Sequence, residues 1–136
     1  MNVLFIHQNF PGQYRHLAAH YAGAGHEVVA IGDKENLRYQ PRLPGVRLFA
    51  YEAPREDHAG TFEASALRAM QRGRALATAA AALRRAGFRP DLVFADHGFA
   101  GAAVEAGVDT IAIADVNDPA LLVAQDQGRL EHVLVF

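Results

Sequence analysis

Residues 2–26 read NVLFIHQNFPGQYRHLAAHYAGAGH, and the fold class follows from them. Val3, Leu4, Phe5 and Ile6 form an unbroken apolar run, the pattern of a strand buried on both faces of a parallel sheet. Pro11 and Gly12 turn the chain, and Tyr14, Leu17, Ala18 and Tyr21 then recur at helical spacing. Gly23 and Gly25 stop that helix, because glycine accepts the left-handed conformation common at helix ends. A second strand, His26 to Ile31, follows at once. Strand, glycine turn and helix in this order open a doubly wound α/β domain, and the turn is where such domains meet ligands.

Downstream, Gly32 to Asn36 is polar and turn-like, and Tyr39 to Gly45 holds two prolines and reads as irregular. Val46 to Tyr51 reads as a third strand, interrupted by Arg47 and therefore suited to a sheet edge. Ala53 to Gly60, APREDHAG, has no apolar anchor and reads as an exposed loop. Thr61 is an N-cap for a long alanine-rich helix over Phe62 to Ala86. Leu67, Met70, Leu76, Ala80 and Leu83 mark its apolar stripe, with Arg68 and Arg72 assigned to the wet side and Gly87 as the stop. Leu92 to Ala95 is a fourth strand, Ala102 to Ala106 a short helix and Thr110 to Ala114 a fifth strand. Asp118 and Pro119 start a last helix that ends at Gly128, and His132 to Phe136 reads as a sixth strand. This alternation predicts one Rossmann-like domain over residues 1–136. Its sheet is doubly wound and parallel, with about six strands in the order 3-2-1-4-5-6 and helices on both faces.

Composition narrows the function. Half of the chain is apolar, and the formal charge of −2 gives no reason to expect nucleic acid or an anionic membrane as partner. Twelve of the thirteen basic residues are arginine, but they are dispersed. The absence of cysteine excludes disulfides and thiolate chemistry. No apolar run approaches the roughly 20 residues needed to span a bilayer, and no signal-peptide pattern precedes the first strand. The expectation is a cytoplasmic domain.

In the predicted strand order, the loops after the first and fourth strands, Gln8 to Gln13 and Asp96 to Ala100, face each other across one crevice. Gly12 there offers unpaired N–H groups at a helix start, which favour phosphate or carboxylate. The dinucleotide fingerprint is missing, since Gly12 stands alone where three spaced glycines are needed. Asp33 is accordingly read as a turn residue and not as a ribose ligand. Asp96 and His97 can hold a sugar hydroxyl, or the carboxylate can orient the ring; a surface loop histidine is the alternative. His7 either points into the crevice or is a satisfied core histidine. His16 and His20 are one turn apart, yet no glutamate follows His16 and no metal site is assigned.

The block Met1 to Leu17, MNVLFIHQNFPGQYRHL, resembles the opening of the N-terminal domain of family 4 glycosyltransferases. Gly25 to Val29, GHEVV, and Arg89 to Ala95, RPDLVFA, resemble that family's second and fourth strands. The resemblance implies a GT-B enzyme, two Rossmann-like domains with the active site between them. It implies that Asn9, Gly12 and Gln13 lie beside the donor diphosphate, and that Asp96 and His97 are the catalytic candidates. The family often has histidine directly after the fourth strand, followed by proline and glycine; here Asp96 occupies that place and His97 comes one later.

By this resemblance the chain is the acceptor-side half of a retaining, metal-independent transferase that moves sugar from a nucleotide-sugar donor to a small acceptor. No cofactor is required, and the isolated domain is expected to be inactive without the C-terminal donor-binding domain. The chain reads as cut from a longer enzyme, since it stops inside an apolar strand. The alternative is a stand-alone, non-catalytic Rossmann-like ligand-binding or dimerisation module. In it the apolar terminal strand, Val133 to Phe136, offers an edge to a second copy.

Overall fold

A computed structural model of the chain describes residues 1–53 and 60–95, together with the strands at 110–113 and 132–135. The opening run is strand β1, Asn2–Ile6, paired parallel on one side with β2, Glu27–Asp33, and on the other with β4, Leu92–Ala95. Strand β3, Val46–Tyr51, pairs parallel with β2. A four-stranded parallel Rossmann-like sheet in the order β3-β2-β1-β4 results, as the alternation of patterns requires. Strands β5, Thr110–Ile113, and β6, His132–Val135, continue the order outward from β4. The Ala102 to Ala106 and Asp118 to Gly128 helices and most of the APREDHAG loop fall outside the described residues.

Because side chains alternate across a strand, β1 feeds two cores. Leu4 and Ile6 join Val29, Ile31, Val93 and Ala95 beneath helix α3, Phe62–Arg85, which contributes Leu76, Ala79, Ala80 and Leu83. Val3 and Phe5 face the other way, onto Phe10, Tyr14, Ala18 and Phe94 beneath helix α1, Arg15–Gly23. Helices thus cover both faces. At the amino edge the Asn2 backbone N–H donates to Asp91 Oδ2 at 2.7 Å, and the Asn2 side chain donates to the Arg89 carbonyl at 2.9 Å. These bonds set the β1–β4 register, which gives Asp91 of the RPDLVFA segment a structural task.

The structure departs from the sequence expectations at three places. Strand β2 runs on to Asp33 instead of ending at Ile31. The segment expected to be a turn is the one-turn helix α2, Lys34–Leu37, because the Asp33 carboxylate accepts the N–H groups of Glu35 (3.0 Å) and Asn36 (3.4 Å). Asp33 is thereby a cap, in keeping with its reading as a local residue. The long helix begins as expected, with Thr61 Oγ1 accepting from the Ala64 N–H at 3.2 Å. Its stripe is different: Leu67 and Met70 are exposed, and apolar burial starts only at Leu76. Arg72, assigned to the wet side, is half-buried with Nε shielded from solvent. The cause is length. A 24-residue helix spans about 36 Å, whereas a six-residue strand spans about 20 Å. The first turns of α3 therefore stand clear of the sheet. Arg47 does lie on an edge strand, where it pairs with Glu27 at 3.3 Å and its guanidinium sits 5.8 Å from the Phe88 ring centre.

Candidate functional site

The carboxyl edge of the β1–β4 pair positions the site. Ile6 stands opposite Ala95, so these two strands end side by side at this edge. This is the point at which winding reverses, where open α/β sheets take their ligands. Asp96 and His97 lie outside the described residues; what is described is their point of departure, Ala95.

The loop after β1 is well fastened. The His7 N–H donates to the Ile31 carbonyl and the Asp33 N–H to the Gln8 carbonyl, both at 3.1 Å. The extension of β2 thus guides the loop away from the sheet. The Phe10 N–H turns back to the His7 carbonyl at 3.1 Å, and the Tyr14 N–H donates to the Pro11 carbonyl at 2.8 Å, closing a 3₁₀ turn over Gly12–Tyr14 that leads into α1. The Phe10–Pro11 peptide is cis. Phe10 and Tyr14 are buried against Phe5, with ring centres 6.0 and 5.4 Å away. The apolar residues are the loop's anchors, and the polar ones between them are left at the surface.

His7 is the first residue of this loop. Its Nδ1 accepts the Asn9 N–H at 3.1 Å, so in the neutral ring the proton is on Nε2. The ring meets Tyr14 edge-on at 5.8 Å. It also lies against Gly12, whose φ is +44°; a Cβ there would sit 2.6 Å from His7 Cε1. Gly12 is therefore required twice, for its backbone conformation and for the imidazole packed on it. His7 is half-buried and its ring is engaged locally, by Asn9, Gly12 and Tyr14. Asn9, Gly12 and Gln13 are brought together on this one loop, with Gly12 and Gln13 exposed. Gly12 and Gln13 are the first residues of the helical turn, where N–H groups have no intrahelical acceptor. His16 and His20 are exposed on α1, away from these anchors. Among the described residues no three His, Asp or Glu side chains come together as a metal site.

Sequence reading missed a second group on the same edge. Tyr51, the last residue of β3, is buried with its hydroxyl shielded from solvent. Burial pushes its pKa from 10 up to about 12; the Arg72 cation pulls it back in part, and Asp33 adds to the rise. The sign follows directly. The buried phenol resists ionising, so stability is intact below pH 10 and falls as the pH climbs toward 12, by about 2–3 kcal/mol in all. Tyr51→Phe is expected to lack this loss. Urea midpoints of the two proteins, compared from pH 9 to about 11.5, should show the parent losing stability relative to Tyr51→Phe toward the alkaline end, and a constant difference would contradict the assignment. The helical register could have revealed Arg72: it lies four and seven residues before Leu76 and Ala79, on the stripe that faces the sheet.

A family model described as Phosphatase matches residues 7–135. The chain belongs to that family. A Phosphatase relative from Streptomyces coelicolor, Phosphatase SCO2771, is 57% identical over 42 residues, which is 31% of this chain and 16% of the relative. The chain thus spans only a small part of the curated relative it matches. Two solved GT-B glycosyltransferases share the fold of this Phosphatase-family chain. One is the T291V variant of Os79 from O. sativa in complex with UDP, 19% identical, with a TM-score of 0.56 over 83% of this chain and 28% of that one. The other is CalG4, the calicheamicin glycosyltransferase, 14% identical, with a TM-score of 0.55 over 96% of this chain and 38% of that one. At such identities the likeness is one of fold alone. The family 4 likeness read from the opening block finds no support in these comparisons. Among the described residues no helix is long and apolar enough to cross a membrane.

Proposed function

We propose that the chain is the amino-terminal, acceptor-side half of a GT-B sugar transferase, a single domain over residues 1–136 completed by a donor-binding domain elsewhere in a longer protein. The observation that carries this reading is the Gly12 loop, held beside the β4 exit at the winding reversal of a sheet whose fold is shared with a UDP-bound protein. In this reading Asn9, Gly12 and Gln13 lie beside the donor diphosphate. The exposed N–H groups of the Gly12 turn meet its negative charge, without a metal, as it leaves. Asp96 and His97 act on the acceptor side. The bond from the sugar's anomeric carbon to the diphosphate oxygen breaks, the acceptor oxygen bonds to that carbon with retention, and the acceptor proton passes to the departing diphosphate. The terminal strand would serve the alternative, a dimeric binding module.

Family membership favours a second reading, hydrolysis of a phosphate monoester at the same loop. With no cysteine in the chain, a cysteinyl-phosphate route is closed to it. Both readings place a phosphate beside Gly12, and one experiment separates them. Amide resonances of the ¹⁵N-labelled chain are followed during titration with millimolar UDP, and p-nitrophenyl phosphate hydrolysis is assayed in parallel. The transferase reading expects Gly12 and Gln13 to shift with UDP and no hydrolysis. Turnover of the ester without a response to UDP would establish the phosphatase reading instead.

A further inference from the structure

Strand β3 pairs with β2 on one side and, among the described residues, with no strand on the other. A parallel strand sends the N–H and C=O groups of successive residues to opposite sides. The Val46 N–H is taken by the Leu43 carbonyl at 3.3 Å and not by β2, so by the two-residue period Leu48 and Ala50 turn their N–H and C=O groups outward. Such an edge is a template for one further strand. Each face of it carries a groove. On the α3 face, a groove of about 650 Å³ runs between Phe49 and Ala75, Ala79 and Ala82 of the helix. On the opposite face, a groove of about 570 Å³ runs along Leu37 and Leu48. Lys34, Arg38, Arg42 and Arg47 also line it, and among the described residues no acidic side chain does. Three of these cations have partners: Lys34 pairs with Glu52 at 2.5 Å, Arg38 with Glu35 at 3.3 Å and Arg47 with Glu27 at 3.3 Å. Arg42 has no ion pair among the described residues. The groove is thus cationic in a chain whose net charge is −2.

We infer that the free edge of β3 is a docking site for an extended acidic segment of a partner protein, added to the sheet as a further strand. Charge and pleat together select this occupant. Successive side chains of an added strand enter opposite faces. One set therefore meets the cationic groove, and the other meets Phe49 and the alanines of α3. The segment that fits alternates acidic with small apolar residues, while its backbone bonds to Leu48 and Ala50. A second copy of β3 fits poorly, since antiparallel pairing would set two cationic grooves side by side. The alternative role is protective, because charged side chains at an edge keep other strands away. That role predicts no strand binding at all. Nothing in this assignment depends on what the Gly12 loop binds.

The test titrates the ¹⁵N-labelled full chain with a blocked peptide that alternates glutamate with valine. The Leu48 and Ala50 amides are expected to shift saturably and to gain protection from hydrogen exchange. The same peptide with lysine in place of glutamate, or methylated on every backbone nitrogen, should leave them unmoved. Arg38 and Arg42 are exposed, so the double variant Arg38→Gln, Arg42→Gln is expected to fold. It should bind the acidic peptide about fivefold more weakly, the sum of two partly exposed charge pairs. Leu48 and Ala50 amides indifferent to the acidic peptide in the unmodified chain overturn the proposal whether or not the variant folds. Undiminished binding by the folded double variant overturns it as well. Equal binding of the methylated peptide does the same, since the grooves would then trap charge without strand addition. An equal response to oligothymidylate overturns it in favour of a general polyanion surface. Shifts at Leu48 and Ala50 that grow with protein concentration alone, with a dimer mass by light scattering, overturn it in favour of a second copy.

Discussion

Phe5→Ala is expected to destabilise the chain by about 3–5 kcal/mol, the range for removing a large aromatic side chain from a core. Phe5 is fully buried on β1, stacked on Phe94 at 4.9 Å and tilted against Phe10 at 6.0 Å, Tyr14 at 5.4 Å and Tyr21 at 6.5 Å. The loss goes beyond buried area, because Phe10 and Tyr14 hold the two ends of the loop that carries Asn9, Gly12 and Gln13. A domain of this size has roughly 5–15 kcal/mol of stability to lose. The variant is therefore expected to be marginal at 25 °C, with its urea midpoint reduced by a third or more. A stability loss of under about 1 kcal/mol would show that the aromatic cluster is not the support described. Phe5→Leu, which refills most of the space, should recover much of the loss.

The second large effect falls on Gly12→Ala. A φ of +44° costs a non-glycine residue about 1–2 kcal/mol, and the added Cβ would stand 2.6 Å from the His7 ring. Either the ring or the turn must move. If the ring moves, the Asn9 N–H loses its acceptor; if the turn moves, the N–H groups of Gly12 and Gln13 are re-aimed. Both routes reach the candidate site. The expected result is moderate destabilisation by urea titration together with loss of the amide response to UDP. A variant that unfolds at the lower midpoint yet responds to UDP as the parent does would remove the loop from the donor site while leaving the fold intact.

The sequence was most informative where one physical term dominates. The apolar run Val3 to Ile6 can be satisfied only by burial on both faces, so the central strand and its parallel neighbours were legible. The Pro11-Gly12 turn was legible for the same kind of reason, since glycine in that place signals either a positive φ or a close approach, and here it is both. The misreadings share another cause. Leu67 and Met70 fit the helical period as well as Leu76 does, but period records which face a residue occupies and not how far along the axis the sheet extends. Arg72 was misplaced by the same omission, because charge was taken to mean solvent. The length of α2 depended on a carboxylate two bonds from the backbone choosing Glu35 and Asn36 as donors, a contest that turn-forming composition leaves undecided. For Asp96 and His97, the strand order gives the place of departure and nothing finer.

The clasp between Asn2 and Asp91 joins positions 89 residues apart, and the β1–β4 pair it aligns forms the floor of the crevice. A nascent polypeptide can settle β1, α1 and β2 from neighbouring contacts, but the floor is unfinished until residue 95 has emerged and the intervening span has closed on itself. Closure over so long a segment is the slow kind of step in folding. Ligand affinity should therefore be among the last properties to appear during refolding, after the amino-terminal half has already acquired its secondary structure.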